Sequence, residues 1–374
     1  MKAPSVLVLG PDRRVISGVA THLNLLLGSA LARRFNLVHF QVGSEGRKEG
    51  RVGMLARLIA SPFRLAAAIA RADAEIVHVN TSLNRRAYWR DLMYVLAAKL
   101  GGARVVYQVH GGAVRALQGP NRLVSALMRR VLRVTLQWPD AVVVLSRCEL
   151  EDISQLVPRQ NVILLPNAID CRPFLEQRRP PSDPHAPLRL VYIGRLVGTK
   201  GLFEIVQGLA LARRLGVAAQ LVVAGDGPDE ARLRQAVHDL GIAEHVSFAR
   251  PAFGERKAKL LGGAEVFVLP SYHEGLPYAL LEGMATGLVP IVTRVGAIPD
   301  VVVEGVHGVF VPSRDAESIA QAIVALAADR ARLARMSVAC RERVASSYSI
   351  ERLAAGFGAL YAGLWGAASP KTAL

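Results

Sequence analysis

Apolar residues fall along this chain in short continuous runs, not in strict alternation. Six such runs, at residues 5–10, 37–42, 75–80, 104–110, 141–146 and 162–166, are separated by stretches with helical spacing. Past residue 187 the rhythm restarts, with runs at 188–194, 220–225, 245–248, 265–270, 289–293 and 308–311. Continuous runs of this length mark strands buried on both faces, as in a parallel sheet covered by helices. The pattern predicts an α/β protein of two doubly wound domains. Ligands of such sheets sit beyond the carboxyl ends of the strands, so two facing domains would hold one in the cleft between them.

Between the two sets of runs, Pro180, Pro181, Pro184 and Pro187 fall within eight residues that neither a helix nor a central strand absorbs. The expected division is a first domain at 1–179, a linker at 180–187 and a second domain at 188–349. The tail, 350–374, is expected to be helical. Ile350, Leu353, Ala354, Phe357, Leu360, Tyr361, Leu364 and Trp365 share one apolar face about four turns long, and that face must pack on something.

Composition narrows the class. A chain of 374 residues exceeds the roughly 250–300 at which single cores stop growing, in keeping with two domains. With 51% hydrophobic and 20% charged residues it is globular, which excludes a disordered chain. Cys148, Cys171 and Cys340 are an odd, widely spaced set with no CxxC pair, which excludes a secreted disulfide scaffold and points to a reducing compartment. No apolar run approaches the ~18 residues of a spanning helix, and the apolar start at 5–10 stops at Pro11-Asp12, too short for a signal peptide. A cytoplasmic protein is expected. The net charge of +16 is uneven: residues 1–180 hold 26 basic and 12 acidic side chains, the remainder 20 and 18. A basic first half fits nucleic acid, an anionic membrane or a phosphorylated acceptor alike.

The densest chemistry lies at 266–303. A buried strand ends at Pro270, a loop presents His273-Glu274-Gly275, and Pro277 has the fixed φ favoured at the start of a helix that ends before Gly287. Glu274 is then in the loop and Glu282 within the helix. The unpaired N–H groups at such a helix start seat a phosphate, and a carboxylate farther in can accept two hydrogen bonds from a vicinal diol such as ribose. A second constellation, Gly194-Arg195-Leu196 with Lys200-Gly201, places two cations after a strand, where each favours a phosphate by ~4 kcal/mol at 4 Å and an effective dielectric near 20, before desolvation. Gly225-Asp226-Gly227-Pro228 lacks the third glycine of a dinucleotide fingerprint and reads as a tight turn. In the first half, Ser17-Gly18-Val19 and His110-Gly111-Gly112 follow strands. Small residues there let backbone approach a diphosphate, and the imidazole can hydrogen-bond a sugar. His22 and His78 read as structural.

In this order and at these separations, Gly194-Arg195-Leu196 with Lys200-Gly201, Gly225-Asp226-Gly227-Pro228, and Glu274 followed by Glu282 resemble the retaining GT-B glycosyltransferases of family 4. The similarity extends to Leu165-Pro166-Asn167 and to residues 295–300. It implies the GT-B fold, two Rossmann-like domains facing a central cleft, with the final helix returning to the first domain. It also implies a donor site in which Arg195 and Lys200 bind the leaving diphosphate. Glu274 then contacts the donor sugar with Gly275 and Leu276 beside it, Glu282 the ribose, Gly18 the phosphates, and His110 the sugar near the reacting carbon. Gly225 belongs to the same donor site. The chain departs from the family pattern at Ser17, where the first of two glycines is usual, at Ala168 after Asn167, and at Ala297 and Asp300, where Gly and Glu are common.

The implied reaction is transfer of a sugar from a UDP- or GDP-linked donor to a glycan or polyprenyl-diphosphate-linked acceptor, in bacterial envelope or exopolysaccharide synthesis. No cofactor and no metal are implied, and the chain has no DxD to hold one. Catalysis then rests on fixed cations and a helix N-terminus stabilising the charge that grows on the diphosphate. Two other readings remain: a GT-B nucleotide-sugar epimerase, and a noncatalytic nucleotide- or glycan-binding module. Finally, Arg51, Arg57, Arg64 and Arg71 interleave with Leu55, Leu58, Ile59, Phe63, Leu65 and Ile69, broken at Ser61-Pro62, and residues 121–138 repeat the pattern. Such basic amphipathic helices lie in anionic interfaces, so peripheral membrane binding through the first domain is expected, with no nucleic-acid partner.

Overall fold

The computed structural model describes residues 3–43, 50–83, 85–111, 122–177 and 186–366. Gly112, Asn121 and the proline-rich stretch up to residue 185 therefore lie outside the described residues. The chain forms two compact units, one from Met1–Ala168 with Ile350–Leu374, the other from Ile169–Ser349. The division falls at Ala168, ahead of the proline-rich stretch, so residues 169–177 pack with the second unit.

The first unit contains β1 (Ser5–Gly10), α1 (Gly18–Gly28), α2 (Leu31–Arg34), β2 (Asn36–Gln41), α3 (Arg51–Ala72) and β3 (Ile76–Thr81). It continues with α4 (Arg85–Leu100), β4 (Arg104–Val109), α5 (Arg122–Gln137), β5 (Ala141–Val144), α6 (Arg147–Leu156) and β6 (Val162–Leu164). The second contains α7 (Arg172–Leu175), β7 (Leu188–Ile193), α8 (Leu202–Arg214), β8 (Ala219–Ala224), α9 (Glu230–Asp239), β9 (Val246–Ala249) and α10 (Gly254–Gly262). Then follow β10 (Val266–Leu269), α11 (Tyr278–Thr286), β11 (Val289–Val292), α12 (Ile298–Val301), β12 (Val309–Phe310), α13 (Ala316–Ala328) and α14 (Arg330–Ser347). The last helix, α15 (Ile350–Gly366), belongs to the first unit.

Each of the twelve apolar runs forms a strand, and each unit has one six-stranded parallel sheet. The orders are β2-β1-β3-β4-β5-β6 and β12-β11-β10-β7-β8-β9. Central strands such as β1 and β3 are buried throughout; β1 is apolar along most of its length, whereas β3 buries His78, Asn80 and Thr81 among Ile76, Val77 and Val79. In each sheet the chain runs outward from its first strand and then returns to that strand's other side. The order therefore reverses between β1 and β3, and again between β7 and β10, and loops diverge there to leave a crevice.

The tail face finds its partner inside the first unit. Ile350, Leu353, Ala354, Phe357 and Tyr361 are buried against Val6 and Val8 of β1, Leu23 and Leu26 of α1 and Leu31 of α2, whereas Trp365 stays 38% exposed. Tyr361 Oη contacts His78 Nδ1 at 2.6 Å, and His78 Nε2 contacts Gln108 Oε1 at 3.0 Å.

Two expectations about the basic helices are corrected. Ser61-Pro62 does not break α3, because Ser61 Oγ donates to Leu58 O at 3.3 Å and satisfies the carbonyl that Pro62, having no N–H, leaves open. The continuous segment Val52–Ala72 is thus long and apolar enough by composition to cross a membrane, a length that the interspersed arginines hid in the sequence. Leu65 and Ile69 face the core while Val52, Ile59 and Phe63 are exposed. On α5, by contrast, Met128, Val131, Leu132 and Leu136 are buried in the core, although Leu127 stays exposed.

Candidate active site

In the second unit, the loops that leave β7 and β10 flank the point where strand order reverses. The β7 loop carries Gly194, Arg195 and Lys200, and the β10 loop carries Ser271 and Glu274. Their backbones are joined where Tyr272 N donates to Thr199 O at 2.9 Å. Lys200 Nζ donates to Glu274 Oε1 at 2.6 Å, and Ser271 Oγ donates to the same oxygen at 2.7 Å. Thr293 Oγ1 holds Ser271 in turn by donating to its carbonyl at 2.5 Å. The pair is sheltered: the Glu274 side chain is 9% exposed and that of Lys200 26%.

Arg195 is exposed, but its backbone is fixed. Tyr192 Oη donates to Arg195 O at 2.7 Å, and burial together with the Glu274 carboxylate pushes that hydroxyl's pKa far up, so it stays a donor. Gly225 meets this loop from below: a Cβ there would stand 1.9 Å from Gly194 O, so only glycine allows β8 to pass so close. The loop bearing Glu274 and Gly275 is pinned from the other side, with Ala297 N donating to Gly275 O at 2.8 Å. Gly296 has a φ of 55°, and a Cβ on it would lie 2.2 Å from Glu274 O. Leu276 is buried, and α11 starts at Tyr278, one residue past Pro277, and ends at Gly287 in the left-handed region.

Glu282 sits within α11 as its spacing indicated, though not beside Glu274's partners. Its carboxylate forms an ion pair with Lys257 of α10. Burial pushes the Glu282 pKa up, against the opposing pull of Lys257. Sequence reading missed Lys257, because Glu255, Arg256, Lys257 and Lys259 look like the solvated face of a charged helix. Ser271 was missed too, being a small residue with no spacing signal.

In the first unit, Gly18 opens α1 and is exposed, and Ser17 caps the helix, its Oγ accepting from Ala20 N at 3.3 Å. A serine where glycine is usual thus serves as the cap. His110 follows β4, and its ring lies 4.6 Å centroid to centroid from that of His22 on α1. Asn80 Nδ2 donates to Leu9 O at 3.0 Å, so Asn80 Oδ1, 2.8 Å from His110 Nε2, must accept. The proton therefore sits on Nε2, and Nδ1 keeps a lone pair. Burial first, then His22 and His78, holds the His110 pKa well below the ordinary value, so the ring is neutral. His22 and His78 are fully buried.

Two doubly wound parallel units, one carrying paired Lys–Glu and Arg groups on the loops beside its crevice, define the GT-B class of transferase fold. The residues from 174 to 343 match the family described as Glycosyl transferases group 1, and 14–168 match the Glycosyl transferase 4-like domain. A GDP-mannose-dependent alpha-(1-6)-phosphatidylinositol monomannoside mannosyltransferase of Mycobacterium tuberculosis is 31% identical over 277 residues, 69% of each chain. The putative colanic acid biosynthesis glycosyltransferase WcaL of Escherichia coli is 30% identical over 51% of this chain and 48% of its own. Among solved structures, a sucrose-phosphate synthase from Thermosynechococcus elongatus superposes with a TM-score of 0.81 at 20% identity, covering 97% of this chain and all of that one. Anabaena Alr3699/HepE in complex with UDP gives 0.75 at 15% identity, covering 96% and 100%. The chain belongs to glycosyltransferase family 4 and is a glycosyltransferase with bacterial envelope and exopolysaccharide relatives.

Proposed function

We propose that the protein is a retaining, metal-independent hexosyltransferase. It takes a sugar from a UDP- or GDP-linked donor and delivers it to a glycan or polyprenyl-diphosphate-linked acceptor, in bacterial envelope or exopolysaccharide synthesis. The observation that carries this reading is the sheltered contact of Lys200 Nζ with Glu274 Oε1, beside Arg195 at the β7 and β10 strand ends. Glu274 aims the lysine and orients the donor sugar, while Lys200 and Arg195 stabilise the charge that develops on the departing diphosphate. The acceptor oxygen bonds to the anomeric carbon from the face the diphosphate leaves. As the bond from that carbon to the phosphate oxygen breaks, the acceptor's proton passes to a phosphate oxygen, and configuration is retained. The mycobacterial relative's GDP-mannose dependence and the UDP in the Anabaena structure support the two nucleotide choices.

The test is turnover of UDP-, GDP- and ADP-linked sugars in excess chelator, with the product's anomeric configuration read by NMR. Full activity and an unchanged anomeric configuration are expected. Activity lost to EDTA and restored by magnesium or manganese overturns metal independence, and an inverted product overturns retention. Product formed without any acceptor makes the protein an epimerase, and tight nucleotide binding without turnover makes it a binding module.

The reading extends to the bilayer. Helix α3 contains Arg51, Arg57, Arg64 and Arg71, no acidic residue, and the exposed side chains Val52, Ile59 and Phe63. An apolar strip flanked only by cations suits an anionic lipid interface, with each basic residue near the surface contributing about 1 kcal/mol. We infer that the enzyme works as a peripheral protein on the cytoplasmic face of the membrane. It should sediment with anionic vesicles at low salt and be released at high salt, with Phe63→Ser and Arg64→Glu together weakening binding at least about tenfold. Equal sedimentation with neutral vesicles, or none with either, refutes it.

A further inference from the structure

Lys257 is the residue that the donor site gains from the structure and that the family motifs do not name. We propose that Lys257 is a positioning residue for nucleotide recognition: it keeps Glu282 ionised and aimed, so that the carboxylate can accept both hydroxyls of a ribose. The inference rests on the reading of Glu282 as the ribose contact. Its basis is the ion pair itself, whose two side chains are only 15% and 12% exposed.

A carboxylate so sheltered favours its protonated form unless a cation stands beside it. Once protonated it carries a donor of its own and loses part of the acceptor capacity a diol needs. Ionised, it has two oxygens with roughly four acceptor sites. Lys257 occupies one oxygen, Oε2, and sites on the carboxylate remain for two hydroxyls.

The surroundings offer Glu282 no substitute for that charge. Its own helix supplies Tyr278, whose buried hydroxyl is pushed up by burial first and then by Glu282. The strands β10 and β11 beneath are wholly apolar in sequence. From α10 come Glu255, Arg256 and Lys259 besides Lys257, and from α7 comes Arg172. From α14, Arg341 donates to the carbonyl of Thr286, one turn past Glu282 at the far end of α11, and also reaches Leu175 O of α7. Among the described residues, Lys257 is the cation in contact with the carboxylate.

The experiment compares affinities for UDP, GDP and their 2′-deoxy forms between pH 5 and 9, by calorimetry, for wild type, Lys257→Met, Lys257→Arg and Glu282→Gln. Removing a contacting cation raises a carboxyl pKa by about one to three units. Lys257→Met should therefore move the pH midpoint of the ribose preference upward by that amount. Below the midpoint, ribonucleotide affinity should fall about tenfold per pH unit, while the deoxy forms change little. Lys257→Arg should restore the wild-type profile, and Glu282→Gln should bind weakly at every pH with no midpoint. Melting curves confirm that each variant is folded, and Lys257→Gln replaces Lys257→Met if that one is not. A wild-type preference for ribose together with an unmoved midpoint in Lys257→Met overturns this proposal alone. A wild type indifferent to the 2′ hydroxyl overturns the ribose reading and the proposal with it.

Discussion

Replacing Lys200 with Met, or Glu274 with Gln, should lower kcat by about 10²–10³ at saturating donor, the loss typical when one preorganised group facing developing charge is removed. The size follows from the geometry. Lys200 Nζ is 2.6 Å from Glu274 Oε1, and the carboxylate is sheltered enough that solvent screens the pair weakly. Removing the lysine deletes the cation that meets the departing diphosphate. Removing the carboxylate's charge leaves the lysine in place but frees it to swing, which costs orientation instead. Glu274→Gln keeps the shape and the hydrogen bond from Ser271 Oγ, so a large loss there isolates the charge. Because the two groups act as a unit, the double variant should be little slower than the worse single one. KM for the donor should rise less than kcat falls, since the interaction strengthens as charge develops. Steady-state kinetics with melting curves as controls decide the matter, and wild-type kcat in either folded variant refutes the assignment.

Much of this fold is legible in the sequence because parallel strands announce themselves. Residues 5–10 and 188–193 are apolar at most positions because both faces are covered, and runs this short are better suited to strands than to helices. Glu274 in a loop and Glu282 in a helix follow equally from Pro277 and Gly287, which fix where a helix can begin and end. What the sequence hides is decided by packing. The proline-rich stretch looks like a boundary, yet contacts divide the chain at Ala168, because Phe174 is buried and α7 packs against α10 and α11 of the second unit. The arginines of α3 and α5 look alike on paper, and only the burial of Met128, Leu132 and Leu136 beside the exposure of Ile59 and Phe63 separates a core helix from an outward one. Lys257 could not be found by spacing at all. Its partner is 25 residues away along the chain, and nothing in a run of charged residues tells which one turns inward.

The first unit should lose stability steeply as pH falls from about 6.5 toward 4. His22 and His78 flank Phe357 of α15, their rings 6.0 and 5.0 Å from it, and His110 meets His22 edge-on at 4.6 Å. Burial pulls His22 down to about 4, burial and then the neighbouring His22 bring His78 to about 3, and burial with both neighbours holds His110 well below the ordinary value. His78 still accepts from Tyr361 Oη in the neutral state, which ties α15 to β3. Both folded values lie below the unfolded value of about 6.5. The unfolded chain therefore binds protons in this window and the native one does not, so stability is complete above pH 6.5 and is lost as pH falls toward the folded values. At pH 5 the loss is about 2 kcal/mol for each of these two histidines. For a unit of this size that is a fall of roughly 10 °C in melting temperature between pH 7.5 and 5. Asp140, whose pKa is held low by Lys99, Val105 and Arg104 against its burial, adds its own loss only near and below pH 4. His22→Leu should flatten the slope, since it removes one fully buried titrating ring. Circular dichroism melts at half-unit pH intervals check this. A melting temperature that does not change between pH 7.5 and 5, or a His22→Leu slope equal to that of the wild type, refutes the buried histidine cluster as the source of acid sensitivity.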